Sequence, residues 1–496
     1  MGQDLAAFLR TAPPLSSLPP EQLDEAAARA SVETYQAGDL ILDAYNAPVK
    51  SVFVVLDGYA ELWNRPDIDD PDEVVGPGGI FGFSAMLTGR TIGPRAVARG
   101  QVRLARIPAG AVRGAFASPE GAAYLADRIA EAGRRQRSTQ AEGAIIRSPL
   151  GGRLLGAVTL ADLRWQALKV PDVLAELTAQ GLAPGKVIAF YSASVDTVVR
   201  RTLELVFADH PELPLDRFTW LCLGSNGRRE AVLSSDIDAA VVFRDDVDEA
   251  EVDRYREVFA EVSTALAAGG IVVDTHGTMP TNPLFARTAT RWEAAARHWL
   301  ADPVENNGAM MTSLLIDGRP LSPDRGRPTV ARVFSGVREH RLTLRLLLQE
   351  SLAKRARTRS VRDLLGPRSA TFDIKDDALL PIVNLARWAA LATGSPALST
   401  TDRLTDAAGS SILPKARART LAEVFEVLQG IRLRYQLDQH RRGERATDVL
   451  LLTRLSPIDH SIINRAVREI AAAQKRADNV SNYLPTEQWT LPEEGR

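Results

Sequence analysis

The sequence predicts a multidomain α+β protein: an N-terminal β-roll with flanking helices, a central α/β domain and a C-terminal helical bundle. Three observations carry this reading. Residues 32–108 hold short β-rich runs punctuated by glycine. Residues 218–243 place two aspartates at the head of an apolar run, shortly after a glycine-serine turn. Beyond residue 341, long segments repeat apolar positions three or four apart.

A chain of 496 residues is long enough for about three cores. With 45% hydrophobic and 25% charged residues it has an ordinary globular make-up, and a net charge of -2 gives no general attraction to nucleic acid or an anionic membrane. The single cysteine, Cys222, sits inside an apolar run. It forms no intramolecular disulfide and fits a reducing compartment. The N-terminus lacks signal-peptide form and no apolar run reaches about 18 residues, so the expected location is cytoplasmic, with no membrane partner.

The expected boundaries are 1–137 for the roll, 138–162 for a linker, 163–330 for the α/β domain and 331–496 for the bundle. A short helix over 4–10 precedes Pro13-Pro14, and a second over 21–31 starts after Pro19-Pro20. Strands follow over 35–42, 51–63, 76–87 and 95–108, with glycines 38, 58, 79 and 82 at the turns. Helical periodicity then covers 109–137.

The residues Ala37-Gly38-Asp39, Val54-Val55-Leu56-Asp57-Gly58 and Gly79-Ile80-Phe81-Gly82 resemble a cyclic-nucleotide-binding domain. In that family a Phe-Gly-Glu binds the ribose hydroxyl and an Arg-Ser/Thr-Ala pairs with the cyclic phosphate. This chain reads Phe81-Gly82-Phe83, and the arginine and hydroxyl positions fall on Ile92 and Gly93, flanked by Arg90 and Arg95. A buried phosphate without a charge partner is costly, so the expected roll is a degenerate regulatory or structural one. Rolls of this type often dimerise through the following helix, here 109–137, so the resemblance allows a homodimer and leaves the oligomeric state open.

Helices are expected over 165–180 and 192–209. Residues 218–243 then read FTWLCLGSNGRREAVLSSDIDAAVVF. In an extended strand Asp236 and Asp238 point to one face. Two converging carboxylates repel unless a cation lies between them, and Mg²⁺ takes oxygen ligands. Gly224 lets backbone approach a ligand, and the amides after Gly224-Ser225 can hold a phosphate at a helix N-terminus.

The pattern Gly224-Ser225-x-Gly227-Arg228-x-Glu230 followed by Ser235-Asp236-x-Asp238 resembles the polymerase-β-like nucleotidyltransferase superfamily. More narrowly it is similar to the family related to the PII-protein uridylyltransferase that carries an N-terminal cyclic-nucleotide-binding-like domain. The resemblance implies a two-metal Mg²⁺ site on Asp236 and Asp238, a nucleoside triphosphate as substrate, and transfer of a nucleotidyl group to a protein or small-molecule acceptor in signal transduction. It also implies a third carboxylate from a neighbouring strand. After an amphipathic helix over 248–268 and Gly269-Gly270, the strand 271–274 ends in Asp274, the third catalytic candidate; a cap for the following turn is its structural alternative. Gly224, Ser225 and Arg228 are the expected nucleotide-binding residues, with Arg228 and Arg229 in a helix facing the triphosphate and Glu230 pairing with one of them. His276 is read as a turn residue. The other reading of the whole chain is a catalytically inactive, nucleotide-binding regulatory scaffold.

The last third predicts helices over 341–353, 379–393, 416–440 and 462–483. Here Asp373-Ile374-Lys375, Asn384-Leu385-Ala386-Arg387, Thr401-Asp402-Arg403-Leu404 and Ile431-Arg432-Leu433-Arg434 resemble the helical domain accompanying this transferase family. The resemblance implies that the bundle forms the far wall of the cleft, with Lys375 as a nucleotide-binding candidate and Arg387 as a second cation; surface salt bridges are the equally weighted alternative for both. The basic run 354–368 contains no aromatic residue for base stacking, so it reads as a solvated helix face and no nucleic-acid partner is expected.

Overall fold

The computed structural model describes residues 2–43, 50–63, 73–83, 95–118, 148–274, 277–321, 336–357, 371–483 and 485–489, with the isolated positions 121, 124, 145, 333 and 334. The chain divides into two compact units, 1–137 and 138–496.

In the first unit, helices α1 (Gly2–Leu9) and α2 (Pro20–Ala28) precede an antiparallel sheet. Its strands are β1 (Ser31–Tyr35), β2 (Leu40–Asp43), β3 (Ser51–Trp63), β4 (Glu73–Val75), β5 (Ile80–Phe81) and β6 (Arg95–Pro108). The long β3 and β6 pair along their length, β1 and β2 add to β6, and β4 and β5 add to β3. Both central strands send apolar residues to each face: Val52, Val54, Ala105 and Ile107 enter a core with α1, α2 and α3 (Ala109–Ala117), while Phe53, Val55, Val102 and Leu104 enter a second core. Phe83, where the cyclic-nucleotide-binding family carries its acid, stacks on Phe116 at 5.4 Å and meets Tyr124 edge-on at 5.9 Å. It serves the apolar interior beside α3. Arg90, Ile92 and Gly93 lie outside the described residues.

The second unit begins with α4 (Pro149–Leu155), α5 (Leu160–Ala167), α6 (Val170–Ala179) and α7 (Pro184–Phe207). This corrects two expectations. Within 138–162, the described residues 145 and 148–162 are more than a linker, because Ile145, Leu150, Leu154 and Ala157 are buried in the same core as α7. The helix expected over 165–180 is two helices, because Pro171 lacks an amide donor and its ring would clash with the carbonyl of Ala167 in a continuous helix.

The central sheet runs β11 (Ala286–Thr288), β9 (Ala239–Phe243), β7 (Phe218–Cys222), β12 (Arg319–Pro320), and a parallel pair β8 (Asp236–Ile237) and β10 (Val272–Val273) stands beside it. Between these strands come α8 (Gly224–Gly227), α9 (Glu249–Ala268), α10 (Ala289–Ala301) and α11 (Gly308–Leu315). Alternation along β7 sends Phe218, Trp220 and Cys222 into a core with α7 and α9, where Phe207, Phe243, Tyr255 and Phe259 cluster around Phe218. Leu221 and Leu223 point the other way, into a core made with α12 (Arg341–Ala353), α13 (Leu380–Thr393), α14 (Thr400–Asp406), α15 (Lys415–Arg441) and α16 (Pro457–Tyr483). The α/β and helical parts therefore share one interior. A short pair, β13 (Thr371–Asp373) with β14 (Val449–Leu451), and a π-helical turn over Lys375–Leu379 lead into α13. No helix is long and apolar enough to cross a membrane among the described residues.

Leu154 is fully buried against this core. Leu154→Ala should destabilise the protein by about 2–5 kcal/mol in urea unfolding. A change below about 0.5 kcal/mol would return the segment to linker status.

Candidate functional site

The site starts where β7 ends. The Leu223 amide donates to the carbonyl of Asp238 at 2.9 Å, placing the turn beside the aspartates. Gly224 has φ +54°, and a Cβ there would stand 2.3 Å from Oδ2 of Asp238, so only glycine fits. Ser225, half-buried, occupies the next position. The helix that follows is a single turn, Gly224–Gly227, so Arg228 and Arg229 lie beyond it and not within it as expected. The physical reason is local: Arg229 takes a left-handed φ of 60°, and the Glu230 amide turns back to the Ser225 carbonyl at 2.8 Å. One turn carries little of a full helix dipole.

Asp236 lies on β8 and Asp238 two residues on, with Ile237 between them buried in the opposite direction. Parallel pairing of β10 with β8 brings up Asp274, whose amide donates to the Ile237 carbonyl at 3.2 Å. Asp236, Asp238 and Asp274 each offer an oxygen, and these ligand atoms all lie within 4.8 Å of one another. Three carboxylate oxygens are the donor chemistry that Mg²⁺ takes, and opposite oxygens in its octahedral shell are about 4.2 Å apart, the same scale as this cluster. Asp274 also receives the Thr278 amide on Oδ2 at 2.6 Å, so the ligand and turn-cap readings of this residue coexist. His276 lies outside the described residues.

The cluster is electrostatically incomplete. Burial, then repulsion from Asp236 and Asp274, pushes the Asp238 carboxyl up to about 7, against partial relief from Lys375 and Arg228. Lys375 comes from the π-helical turn and places Nζ 3.9 Å from Oδ1 of Asp236. Arg228 is buried and committed on both sides: Nε donates to Glu230 at 2.8 Å and Nη1 to Asp317. Arg387 is likewise engaged, donating through Nη2 to Asp317 at 2.7 Å.

Asp317, Ser234 and Asp448, which also shape the site, carry no local sequence signal. Asp317, fully buried, also accepts from Arg403 Nη1 at 2.5 Å. Burial alone would raise its carboxyl, but Arg387, Arg228 and Arg403 outweigh that and hold it well below the usual range. Glu230 accepts from the Thr400 amide at 2.5 Å, joining the motif to the start of α14. Ser234, two residues before Asp236, donates to Asp448 at 2.7 Å, and Asp448 is held by Arg432 at 2.6 Å and Gln436 at 2.9 Å. The backbone amide of Ile374 donates to the carbonyl of Asp448 at 3.0 Å, so the same residue steadies the approach to Lys375. The part of the basic run that is described pairs Lys354 with Asp376 at 2.6 Å and Arg355 with Asp478 at 3.0 Å; residues 358–370 lie outside it.

Asp238 titrates near 3.8 when unfolded and near 7 when folded. Between those values the folded chain holds a proton that the unfolded chain lacks, so metal-free stability falls as pH rises through about 7. Asp238→Asn should therefore raise the melting temperature in chelator at pH 8 by about 2 °C or more, with little effect at pH 4. Equal melting temperatures at pH 8 would show that Asp238 bears no such burden.

Comparison with known proteins agrees with this architecture. Residues 168–306 match the family described as "Putative nucleotidyltransferase DUF294", 341–480 the "Putative nucleotidyltransferase substrate binding domain", and 32–118 the "Cyclic nucleotide-binding domain". No curated protein matches the chain. Similar solved structures include the cAMP-bound regulatory domain of Toxoplasma gondii PKA, 15% identical over 26% of this chain and 50% of that one, TM-score 0.24. The chain thus spans about half the length of that relative. A cyclic nucleotide-binding-like protein from Brucella abortus is 25% identical over 23% of this chain and 99% of that one, TM-score 0.20. One from Geobacter metallireducens is 26% identical over 22% and 79%, TM-score 0.20. The acidic cluster at the end of the central sheet thus lies in the region matching "Putative nucleotidyltransferase DUF294", and the chain carries that domain, a "Putative nucleotidyltransferase substrate binding domain" and an N-terminal cyclic nucleotide-binding domain.

Proposed function

We propose that this protein is a Mg²⁺-dependent nucleotidyltransferase that moves a nucleotidyl group from a nucleoside triphosphate to a protein or small-molecule acceptor in signalling. The observation that carries the reading is the convergence of Asp236, Asp238 and Asp274 within 4.8 Å beside the Gly224 turn. These three carboxylates would hold Mg²⁺, which when bound neutralises phosphate charge and lowers the pKa of a bound hydroxyl. Gly224 and Ser225 receive the phosphates on backbone amides, and Lys375 closes on them from the helical side. Arg228 acts at one remove: its positive field reaches Asp238 while its donors stay on Glu230 and Asp317. In the reaction an acceptor oxygen bonds to the α-phosphorus, the bond to the β-phosphate oxygen breaks, pyrophosphate leaves, and the acceptor proton passes to solvent.

A cytoplasmic setting belongs to the same proposal, supported by the lone buried thiol of Cys222. So does independence from cyclic nucleotides, supported by Phe83 lying in an aromatic cluster.

Pyrophosphate release from each nucleoside triphosphate, with Mg²⁺ and candidate acceptors, tests the proposal. The Asp236→Ala, Asp238→Ala double variant should lose about 10³-fold or more of the wild-type rate, equivalent to several kcal/mol of charge stabilisation. Nucleotide binding without turnover in the wild type would instead favour a regulatory scaffold. Failure of Mn²⁺ to bind at the three aspartates would remove the metal site.

A further inference from the structure

We propose that Asp317-Gly318-Arg319, a segment between the two matched transferase regions, is a positioning clamp that fixes the Gly224–Gly227 turn for the triphosphate. The proposal rests on the transferase reading above.

Arg319 enters the site on β12, opposite Cys222 of β7, and its side chain is buried. Its guanidinium donates through Nη2 to the Asn226 carbonyl at 3.1 Å and through Nε to the Gly227 carbonyl at 3.3 Å. These are carbonyls at the end of a one-turn helix; that of Asn226 also accepts the Arg229 amide at 3.2 Å, so the guanidinium adds side-chain donors to a turn that has few backbone bonds of its own. A single turn is also too short to be stable by itself. On its other side the guanidinium is held by Asp196 of α7, with Nη2 2.8 Å from Oδ1 and 2.9 Å from Oδ2. The fork thus ties the turn to a 24-residue helix in the core.

Asp317 acts from the same segment. Its carbonyl lies so close to Gly227 that a Cβ there would stand 2.2 Å away, and its carboxylate takes Arg228, the residue that ends the turn. The effect reaches the acids, because Asn226 donates through Nδ2 to the carbonyl of Asp236 at 2.9 Å. Clamp, turn and acid cluster are one hydrogen-bonded chain. Burying a guanidinium is unfavourable compared with an apolar residue that would merely fill the space. What Arg319 adds is direction: a planar fork that donates to the carbonyls of Asn226, Gly227 and Pro320 and to the Asp196 carboxylate favours one orientation of the turn.

The test uses the full chain with Arg319→Lys, which keeps the charge near Asp196 and loses the fork, and Asp196→Asn, a milder loosening of the anchor that Arg229 also shares. Three quantities are read: melting temperature, Mn²⁺ binding by electron paramagnetic resonance, and dissociation constant and KM for the Mg²⁺-bound triphosphate that the wild type prefers. The expected result for Arg319→Lys is a folded protein with Mn²⁺ binding within about twofold of wild type and triphosphate affinity and KM weakened about tenfold, the scale of one lost charge-assisted hydrogen bond. Asp196→Asn should give the same split, smaller. Unchanged triphosphate affinity in a folded Arg319→Lys protein overturns the clamp and leaves the transferase reading standing. Loss of Mn²⁺ and triphosphate binding in parallel with melting temperature in both variants also overturns it, in favour of a purely structural role. A wild type that binds Mn²⁺ but no triphosphate overturns the transferase reading and the clamp together.

Discussion

The arrangement depends on one carboxylate shut away from water. Asp317 receives guanidinium groups from Arg228 of the motif, Arg387 of α13 and Arg403 of α14. Burying these charges is expensive, and their mutual attraction repays the desolvation only where geometry is good and the remaining donors are satisfied. Here they are: Arg403, with no exposure, also donates to the Ala397 carbonyl at 2.9 Å and the Ile316 carbonyl at 3.1 Å. Glu230 takes the free flank of Arg228 and closes on Thr400. Because the three arginines come from distant parts of the sequence, the network forms only when the helical half is docked on the sheet. It couples the shape of the Gly224–Gly227 turn to the presence of the bundle.

Against that well-compensated network stands a poorly compensated one. Asp236, Asp238 and Asp274 converge with Lys375 as a nearby cation at 3.9 Å, and burial with repulsion keeps Asp238 protonated into the neutral range. A fold optimised for stability alone would not collect three acids at a strand end. Such local conflict is characteristic of functional sites, where surrounding structure holds groups in place against their own preference. The surroundings are identifiable: Asn226 on the Asp236 carbonyl, Thr278 on Asp274, and the Arg432, Gln436 and Asp448 set on Ser234.

The parts legible in the sequence are those whose signal is local. The period-2 placement of Asp236 and Asp238 survives in the fold, and so does the helix over Arg341–Ala353, whose apolar residues recur at helical spacing. Asp274 was reachable because a glycine pair and a short apolar strand precede it. Other features depend on contacts invisible to spacing. The motif helix stops after one turn because Arg229 adopts a left-handed φ, which a non-glycine residue does not advertise. Residues 149–155 read as linker because a seven-residue helix with two glycines has weak periodicity, although Leu150 and Leu154 are deeply buried. Arg387 read equally as a cleft cation or a salt-bridge residue; its donors go to Asn384 and to Asp317, a partner about seventy positions away that spacing does not reveal. Asp317 and Arg319 look like an ordinary polar turn after α11, and their partners become apparent only when β12 pairs with β7.

Alternation along β7 explains how the two matched regions come to share one interior. Phe218, Trp220 and Cys222 face the helices of the first matched region, whereas Leu221 and Leu223 face a core built largely from the second. The strand that delivers Gly224 is therefore buried on both sides, one side by each region. A turn at the end of such a strand inherits its rigidity, as do the acids bonded to it. Lys375, carried by the second region, reaches Asp236 only because that region supplies half the interior beneath the turn. The helical half is thus as much a support for the acid cluster as a wall opposite it. Its removal would expose the apolar face of β7 and strand Arg228, Glu230 and Asp317 without their partners, so the acidic motif has no independent existence as a stable site.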